Sequence, residues 1–153
     1  MQKQSIVLSD DNTRNILGLQ NSGTPAAFCD AVRVELADAV LIYISGATPI
    51  DDNGNLVGET MLEQTRQVLK RLKRVLDNQG AAFTDIVRVR VFATDISPDA
   101  IRQIHQARNE VFPAHFHPAS TLVQISGIIR EGGMVEIDAD VVMPNPGSEG
   151  KTN

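Results

Sequence analysis

Residues 134–142, with the sequence MVEIDADVV, alternate apolar and acidic side chains along most of their length. Successive side chains of a β-strand point to opposite faces, so this alternation predicts a strand with one buried and one polar face. The apolar positions are Val135, Ile137, Ala139 and Val141, and the acidic positions are Glu136, Asp138 and Asp140. A second strand is predicted over residues 121–126 (TLVQIS), with a short connection, GIIREGG, between the two.

Two helices are predicted upstream of these strands. The first begins with a capping box, in which Thr60 and Glu63 each satisfy a free backbone N–H, and it ends near Gly80, which suits a left-handed cap. Apolar residues recur between these ends at helical spacing. Ser97 and Pro98 form the N-cap and first turn of the second helix.

Shorter β-rich runs complete the pattern, at residues 5–9, 31–36, 39–45 and 85–92. The predicted order is β-β-β-α-β-α-β-β. Right-handed crossovers then place both helices on one face of a mixed sheet, which is an α+β two-layer sandwich. The other sheet face carries apolar residues such as Phe92 and Val142 with no helix to cover them. This uncovered face predicts an oligomer.

Length, net charge and the distribution of apolar residues argue against several classes of function. A chain of 153 residues predicts a single domain over residues 1–143, with a flexible tail at residues 144–153. The net charge of −5 and the lack of a large basic surface argue against nucleic-acid binding. The basic run KRLKR, at residues 70–74, is interpreted as a solvated helix face. No long apolar run predicts a membrane span or a signal peptide, so a cytoplasmic location is expected.

Cysteine and histidine content gives no sign of a metal site. Cys29 is the only cysteine and is interpreted as a buried, inert thiol. The three histidines are His105, His115 and His117. A zinc ion held by His115 and His117 would need two further ligands, which the sequence does not cluster nearby. Neither a metal nor another cofactor is therefore expected.

Five segments together resemble the RidA (YjgF-like) reactive-intermediate deaminases. They are Ser45-Gly46 with Pro49, the loop at residues 53–58, the helix sequence at 63–69, the strand at 91–95 and Val135-Glu136-Ile137-Asp138-Ala139. The resemblance spans roughly residues 28–142. It implies a chorismate-mutase-like fold assembled as a homotrimer, with a ligand cleft between each pair of subunits. It also implies hydrolysis of enamines or imines, in which an arginine binds the substrate carboxylate and a glutamate directs water.

Transferred to this sequence, the resemblance assigns the catalytic glutamate to Glu136 and the pocket wall to Ser45 and Gly46. Three positions depart from the family pattern: Ser120 replaces the arginine, Phe28 a tyrosine, and His105 an asparagine on the second helix. Losing the arginine removes a contact worth about 1.5–3 kcal/mol. A small α-imino acid should therefore bind poorly, unless another cation such as Arg14 or Arg130 reaches the site. Ser120, the adjacent Thr121 and backbone N–H groups are expected to orient the substrate by hydrogen bonds.

These residues also have structural interpretations. Glu136 could simply belong to a solvated strand face, and His105 could pack at an interface. Ser120 suits a turn after Pro118-Ala119. Phe28 could belong to the core or to an interface.

Two functions of different classes follow. The first is a deaminase or related hydrolase acting on a C=N bond, with an atypical substrate preference because of Ser120. The second is a non-catalytic, small-molecule-binding trimer, a sensor or a chaperone-like protein. A different hydrolase or lyase reaction in the same cleft is a third possibility. The expected ligand in each case is a small imine, enamine or keto acid.

Overall fold

One mixed β-sheet organises the computed structural model, which describes residues 1–8, 22–24 and 26–148. In this part of the chain the sheet contains β1 (Gln2–Ile6), β2 (Ala31–Glu35), β3 (Ala39–Ala47), β4 (Ile86–Ala93), β5 (Ala119–Gln124) and β6 (Val135–Pro144). Their spatial order is β1-β2-β3-β6-β4-β5. Only β4 and β5 pair in parallel, and the other neighbours are antiparallel.

Two long helices cover one face of this sheet, α1 (Met61–Asn78) and α2 (Pro98–Asn109). The predicted capping box is present, since Glu63 N donates to Thr60 Oγ1 at 3.2 Å and Thr60 N donates to Glu63 Oε2 at 3.1 Å. Ser97 caps α2 by accepting from Ala100 N at 3.3 Å. Helix α1 packs on β3 and β6, and α2 packs beside it. The predicted α+β two-layer sandwich is confirmed. No helix in the described ranges is long and apolar enough to cross a membrane.

The core lies between the helices and β6, as the alternation in β6 predicts. Its four apolar side chains, Val135, Ile137, Ala139 and Val141, are all at most 1% exposed. They meet buried residues of α1: Val68, Leu69, Leu72, Val75 and Leu76. The N-terminal half of β6 is therefore fixed by packing on its helix side, which places Glu136 on a rigid element.

The opposite face of β6 is more polar than an uncovered apolar sheet would be. Arg90 on β4 stands beside Asp138 in the strand register and forms ion pairs with two acids of β6. Its Nε lies 2.7 Å from Asp138 Oδ1, and its Nη2 lies 2.9 Å from Asp140 Oδ1. Apolar side chains still emerge on the sheet, with Tyr43 46% and Val142 42% exposed.

Several strand boundaries differ from the prediction. β1 lies at Gln2–Ile6 because these residues pair along the whole of β2, and the chain then turns where Leu8 N donates to an Asp30 carboxylate oxygen at 2.9 Å. Ser9, where this strand was predicted to end, lies outside the described residues. β6 continues to Pro144, and a short 3-10 helix, Pro146–Ser148, follows it. Regular structure thus extends into the segment predicted to be a tail, of which residues 149–153 are not described.

A buried side-chain amide joins α1 to the start of β6. Gln64 is 1% exposed. Its Nε2 donates to the carbonyls of Gly58 at 3.1 Å and Gly132 at 3.0 Å, and its Oε1 accepts from Met134 N at 2.7 Å. The sequence pattern did not predict this role. Gln64 therefore links the segment before α1 to the loop before β6. Its contact with Met134 lies two residues before Glu136.

Replacing Gln64 with leucine retains a side chain of similar size but removes both polar ends. Three partly buried backbone groups then lose their partners, so we expect the free energy of unfolding to fall by about 1–3 kcal/mol. Urea denaturation followed by circular dichroism measures this loss. Gln106→Leu, at an exposed position of α2, is the matched control. Equal stabilities for the two variants would contradict the role given to Gln64.

Candidate functional site

A cavity of about 330 Å³ opens beside the last residues of β3. It forms because β2 begins only at Ala31, so Gly46 and Ala47 have no strand beside them on that side. The walls come from the segment before β2, the end of β3, α1 and the start of β6. The predicted residues Phe28, Ser45, Gly46 and Glu136 all line this cavity.

Glu136 enters the cavity across Gly46. A Cβ atom at position 46 would lie 2.0 Å from Glu136 Oε1, so any side chain there would displace the carboxylate. The glutamate is half-buried. Burial and, to a smaller extent, the charge of Asp138 raise the pKa of Glu136 above its usual range. A carboxyl group in a cavity with a raised pKa is suited to accepting and returning a proton.

Ser45 presents an acceptor to the cavity. Its Oγ donates to the Cys29 carbonyl at 2.7 Å, and its backbone N donates to the Asp30 carbonyl at 2.9 Å. Because the hydroxyl proton is already engaged, the remaining lone pairs of Oγ can accept from an N–H group. Phe28, 44% exposed, forms an aromatic wall beside it. The cavity thus combines a carboxyl group, an N–H acceptor and a flat apolar surface.

Two arginines of α1 also line the cavity, and the sequence interpretation missed them. Two members of the basic run on α1 form ion pairs, with Lys73 2.6 Å from Asp77 and Arg74 2.6 Å from Asp52. Arg74 reaches the cavity rim, and Arg71 lies against it with its Nε buried. Position 71 follows the buried Val68 by three residues, so it borders the apolar stripe. That spacing was the available signal.

Ser120, Thr121 and His105 do not line this cavity. They lie on β5 and α2, where Ser120 Oγ accepts from Arg108 Nη1 at 3.1 Å. His105 is exposed, and its pKa is lowered first by partial burial and then by the charges of Arg108 and His117. These residues form a second group, the β5–α2 cluster, defined by His105, Arg108, Ser120 and Thr121. Of the two further cations considered from sequence, Arg14 lies outside the described residues and Arg130 is not in the cavity lining.

The strand register gives the distance between the Glu136 cavity and the β5–α2 cluster of the same chain. Ser120 pairs with Val89, which pairs with Ala139, whereas Glu136 pairs with Phe92. With strands about 4.8 Å apart and a rise of about 3.3 Å per residue, the Cα atoms of Ser120 and Glu136 are about 14 Å apart. Ser120 shares the helix side with the buried Val89, and Glu136 alternates to the other side. A small molecule cannot contact both groups of one chain.

Metal ligation finds no support in the described ranges, which contain no cluster of three or more His, Cys, Asp and Glu side chains able to hold an ion. Cys29 is partly exposed, whereas the sequence interpretation placed it in the interior. Its carbonyl rather than its thiol has the defined contact, with Ser45.

Comparison with known proteins places the chain in a family. Residues 22–143 match the family described as Endoribonuclease L-PSP. The 3-aminoacrylate deaminase RutC of Acinetobacter baylyi is 33% identical over 118 residues, which cover 75% of this chain and 88% of that protein. A RutC family protein of Pyrococcus abyssi is 30% identical over 102 residues, or 64% of this chain and 75% of that protein.

Solved structures agree with this assignment. A protein of the conserved Rid family, YyfA from Yersinia pestis, superposes with a TM-score of 0.72 at 26% identity, over 92% of this chain and 98% of that chain. A YjgF/YER057c/UK114 family member from Mycobacterium tuberculosis, 24% identical, shares the fold with a TM-score of 0.70 over 93% and 100% of the two chains. The chain therefore belongs to the Endoribonuclease L-PSP family, and its predicted membership of the RidA (YjgF-like) group is confirmed.

The raised pKa of Glu136 makes a prediction about stability. Below the usual glutamate value of 4.5 the carboxyl group is protonated whether the chain is folded or not. As the pH rises through the raised pKa, burying the charge opposes folding. We expect Glu136→Gln to melt at a higher temperature than the wild type at pH 8, with the difference shrinking toward pH 4. Thermal unfolding by circular dichroism across this pH range measures it.

Glu131→Gln, at an exposed site on the loop before β6, provides the baseline for this series. If the Glu136→Gln variant is less stable than the wild type at pH 8, burial of the carboxyl group does not dominate its electrostatics.

Proposed function

We propose that this protein hydrolyses an enamine or imine of a small metabolite to a carbonyl compound and ammonia. The observation that carries the proposal is the half-buried Glu136 carboxyl group, held over Gly46 in a cavity that also contains Ser45 and Phe28. Similarity to a protein named 3-aminoacrylate deaminase supports the reaction class. That compound is an enamine, and protonation of its carbon 2, next to the carboxylate, with loss of a proton from nitrogen gives an imine.

The reaction needs one proton acceptor that can also return the proton. Glu136 accepts a proton from water as the water oxygen bonds to the imine carbon, and the C=N π electrons move to nitrogen. The proton then passes from the carboxyl group to nitrogen. The new hydroxyl group then gives its proton to the carboxylate, which passes it to nitrogen, and the C–N bond breaks as C=O forms and ammonia leaves. A raised pKa makes the Glu136 carboxylate a stronger proton acceptor than an ordinary glutamate, which favours the first of these transfers.

The remaining cavity residues would orient the substrate. Ser45 Oγ, with its own proton engaged by the Cys29 carbonyl, accepts from the substrate N–H. The ring of Phe28 packs against the flat C=N group. A cavity of about 330 Å³ suits a small metabolite rather than a polymer. The net charge of −5 also disfavours an RNA substrate, despite the family's description.

We further propose that the site is completed in a homotrimer by the β5–α2 cluster of a neighbouring subunit. Two features support this assembly. Strand β5 is an edge strand on which five of the six residues are exposed, and the cluster faces away from its own Glu136 cavity. A cleft between subunits would bring Ser120, Thr121 and His105 of one chain to Glu136 of the next.

The assembly predicts a particle of three times the 16.6 kDa chain mass at micromolar concentration. Light scattering coupled to size-exclusion chromatography measures this mass directly. A monomer would leave Glu136 and Ser120 in separate sites and would remove the shared cleft.

Activity is tested by ammonia release from 3-aminoacrylate and 2-aminoacrylate, each generated enzymatically in the assay. We expect the wild type to exceed the uncatalysed rate and Glu136→Gln to lower kcat by about 10²- to 10⁴-fold, since the proton acceptor is lost. The wild-type rate should rise with pH as Glu136 ionises. Glu131→Gln serves as the control. A wild type that matches the uncatalysed rate on both compounds would instead favour a non-catalytic, ligand-binding trimer.

A further inference from the structure

A buried cation lies in the last turn of α2. Arg108 is 7% exposed, and in the described part of the chain no carboxylate lies within ion-pair distance of its guanidinium. Its defined contacts are the hydroxyl of Ser120, 3.1 Å from Nη1, and the ring of Phe112, with Cζ 5.8 Å from the ring centroid. A buried charge without a counter-ion opposes folding, and a bound anion would offset this cost.

The guanidinium is held in place by packing. The ring of Phe112 meets Phe83 edge-on, with centroids 5.1 Å apart and planes at 74°. The Arg108 carbonyl accepts from Phe112 N at 2.9 Å, which ties the aromatic residue to the end of the helix. The cation is therefore positioned before any ligand arrives, and less conformational freedom is lost on binding.

The Arg108 guanidinium lies beside Ser120, the position at which the family resemblance implies an arginine. Ser120 stands on β5 where the family resemblance implies an arginine, and its small side chain leaves room for a group from the helix. The Arg108 guanidinium occupies that room, one hydrogen bond from the Ser120 hydroxyl. Only one of its five N–H donors is used in this contact, so the planar fork retains donors for a second partner.

We propose that Arg108 binds the substrate carboxylate, so that the anchoring guanidinium comes from α2 instead of β5. The substrate class is then a small enamine or imine that carries a carboxylate. This inference rests on the proposed function and on the cleft between subunits, where Arg108 of one chain faces Glu136 of the next. The fork binds the carboxylate by paired N–H donors, which directs the C=N carbon toward the water held by Glu136.

His105, one turn before Arg108 on the same helix, extends the recognition surface. Burial and the neighbouring cation lower its pKa, which favours the neutral imidazole near neutral pH. A neutral ring can donate one hydrogen bond and accept another without adding charge. Within the β5–α2 cluster the carboxylate is then recognised by Arg108, and a single substitution tests this role.

The binding experiment uses pyruvate, a stable carboxylate of product-like size, and its neutral amide, pyruvamide. We expect pyruvate to raise the melting temperature of the wild-type trimer more than pyruvamide does, and Arg108→Gln to abolish the difference. In ammonia-release assays Arg108→Gln should raise KM about 10- to 100-fold, with a smaller change in kcat. Arg102→Gln is the matched control, since Arg102 lies on the same helix, exposed and paired with Asp99.

A rescue variant separates binding from folding. The double variant Arg108→Gln/Ser120→Arg returns a guanidinium to the strand, and we expect it to recover the pyruvate-dependent shift. Light scattering verifies that each variant remains assembled. If Arg108→Gln folds and assembles but keeps the wild-type response to pyruvate, the proposal is overturned. If in that case Arg71→Gln loses the response to pyruvate, the anchor is the cavity arginine instead.

Failure of the two proposals gives different results. A wild type that binds pyruvate through Arg108 but releases no ammonia from either enamine would retain the anchor and remove the deaminase function. A wild type that hydrolyses the enamines with an unchanged KM in Arg108→Gln would retain the deaminase and remove the anchor.

Discussion

The position of the candidate catalytic carboxyl group depends on one buried amide. Gln64, on α1, hydrogen-bonds to the backbone of the segment before α1 and of the loop before β6. Its partner Met134 precedes the buried Val135, and Glu136 comes next. A hydrophobic side chain at position 64 could fill the same volume but could not fix the direction in which β6 leaves its loop. Hydrogen bonding therefore adds a defined orientation to the packing of α1 on the sheet.

The three acids of β6 have different environments although their spacing is regular. Asp138 and Asp140 are both paired with Arg90, which stands beside Asp138 on the neighbouring strand β4. Glu136 forms no ion pair within the described ranges and lies over Gly46 instead. The ion pairs of Asp138 and Asp140 stabilise the polar face of the sheet, while Glu136 remains available for proton transfer. Arg90 on β4 thus gives Asp138 and Asp140 a structural role in β6, whereas Glu136, which it does not bind, lines the cavity.

Local patterns predicted the fold well because each depends on near neighbours in sequence. The capping box at Thr60, the left-handed cap at Gly80 with its φ of 67° and the alternation in β6 are of this kind. Gln64, Arg71 and Arg108 were missed because each is a polar residue at the border of an apolar stripe. Their contacts come from loops and strands brought together by the sheet register. The resemblance supplied Glu136, Ser45 and Gly46, which share one cavity, whereas Ser120 lies in a different part of the subunit.

The close approach at position 46 couples two positions that are ninety residues apart in sequence. Since the glutamate side chain occupies the space of a Cβ atom at Gly46, any side chain added at position 46 would displace the carboxylate of Glu136. A relative with alanine at the first position would have to redirect the carboxylate at the second. The pair should therefore vary together during evolution. In a newly met relative, a glycine at the first position would indicate whether the acid at the second can still reach a ligand.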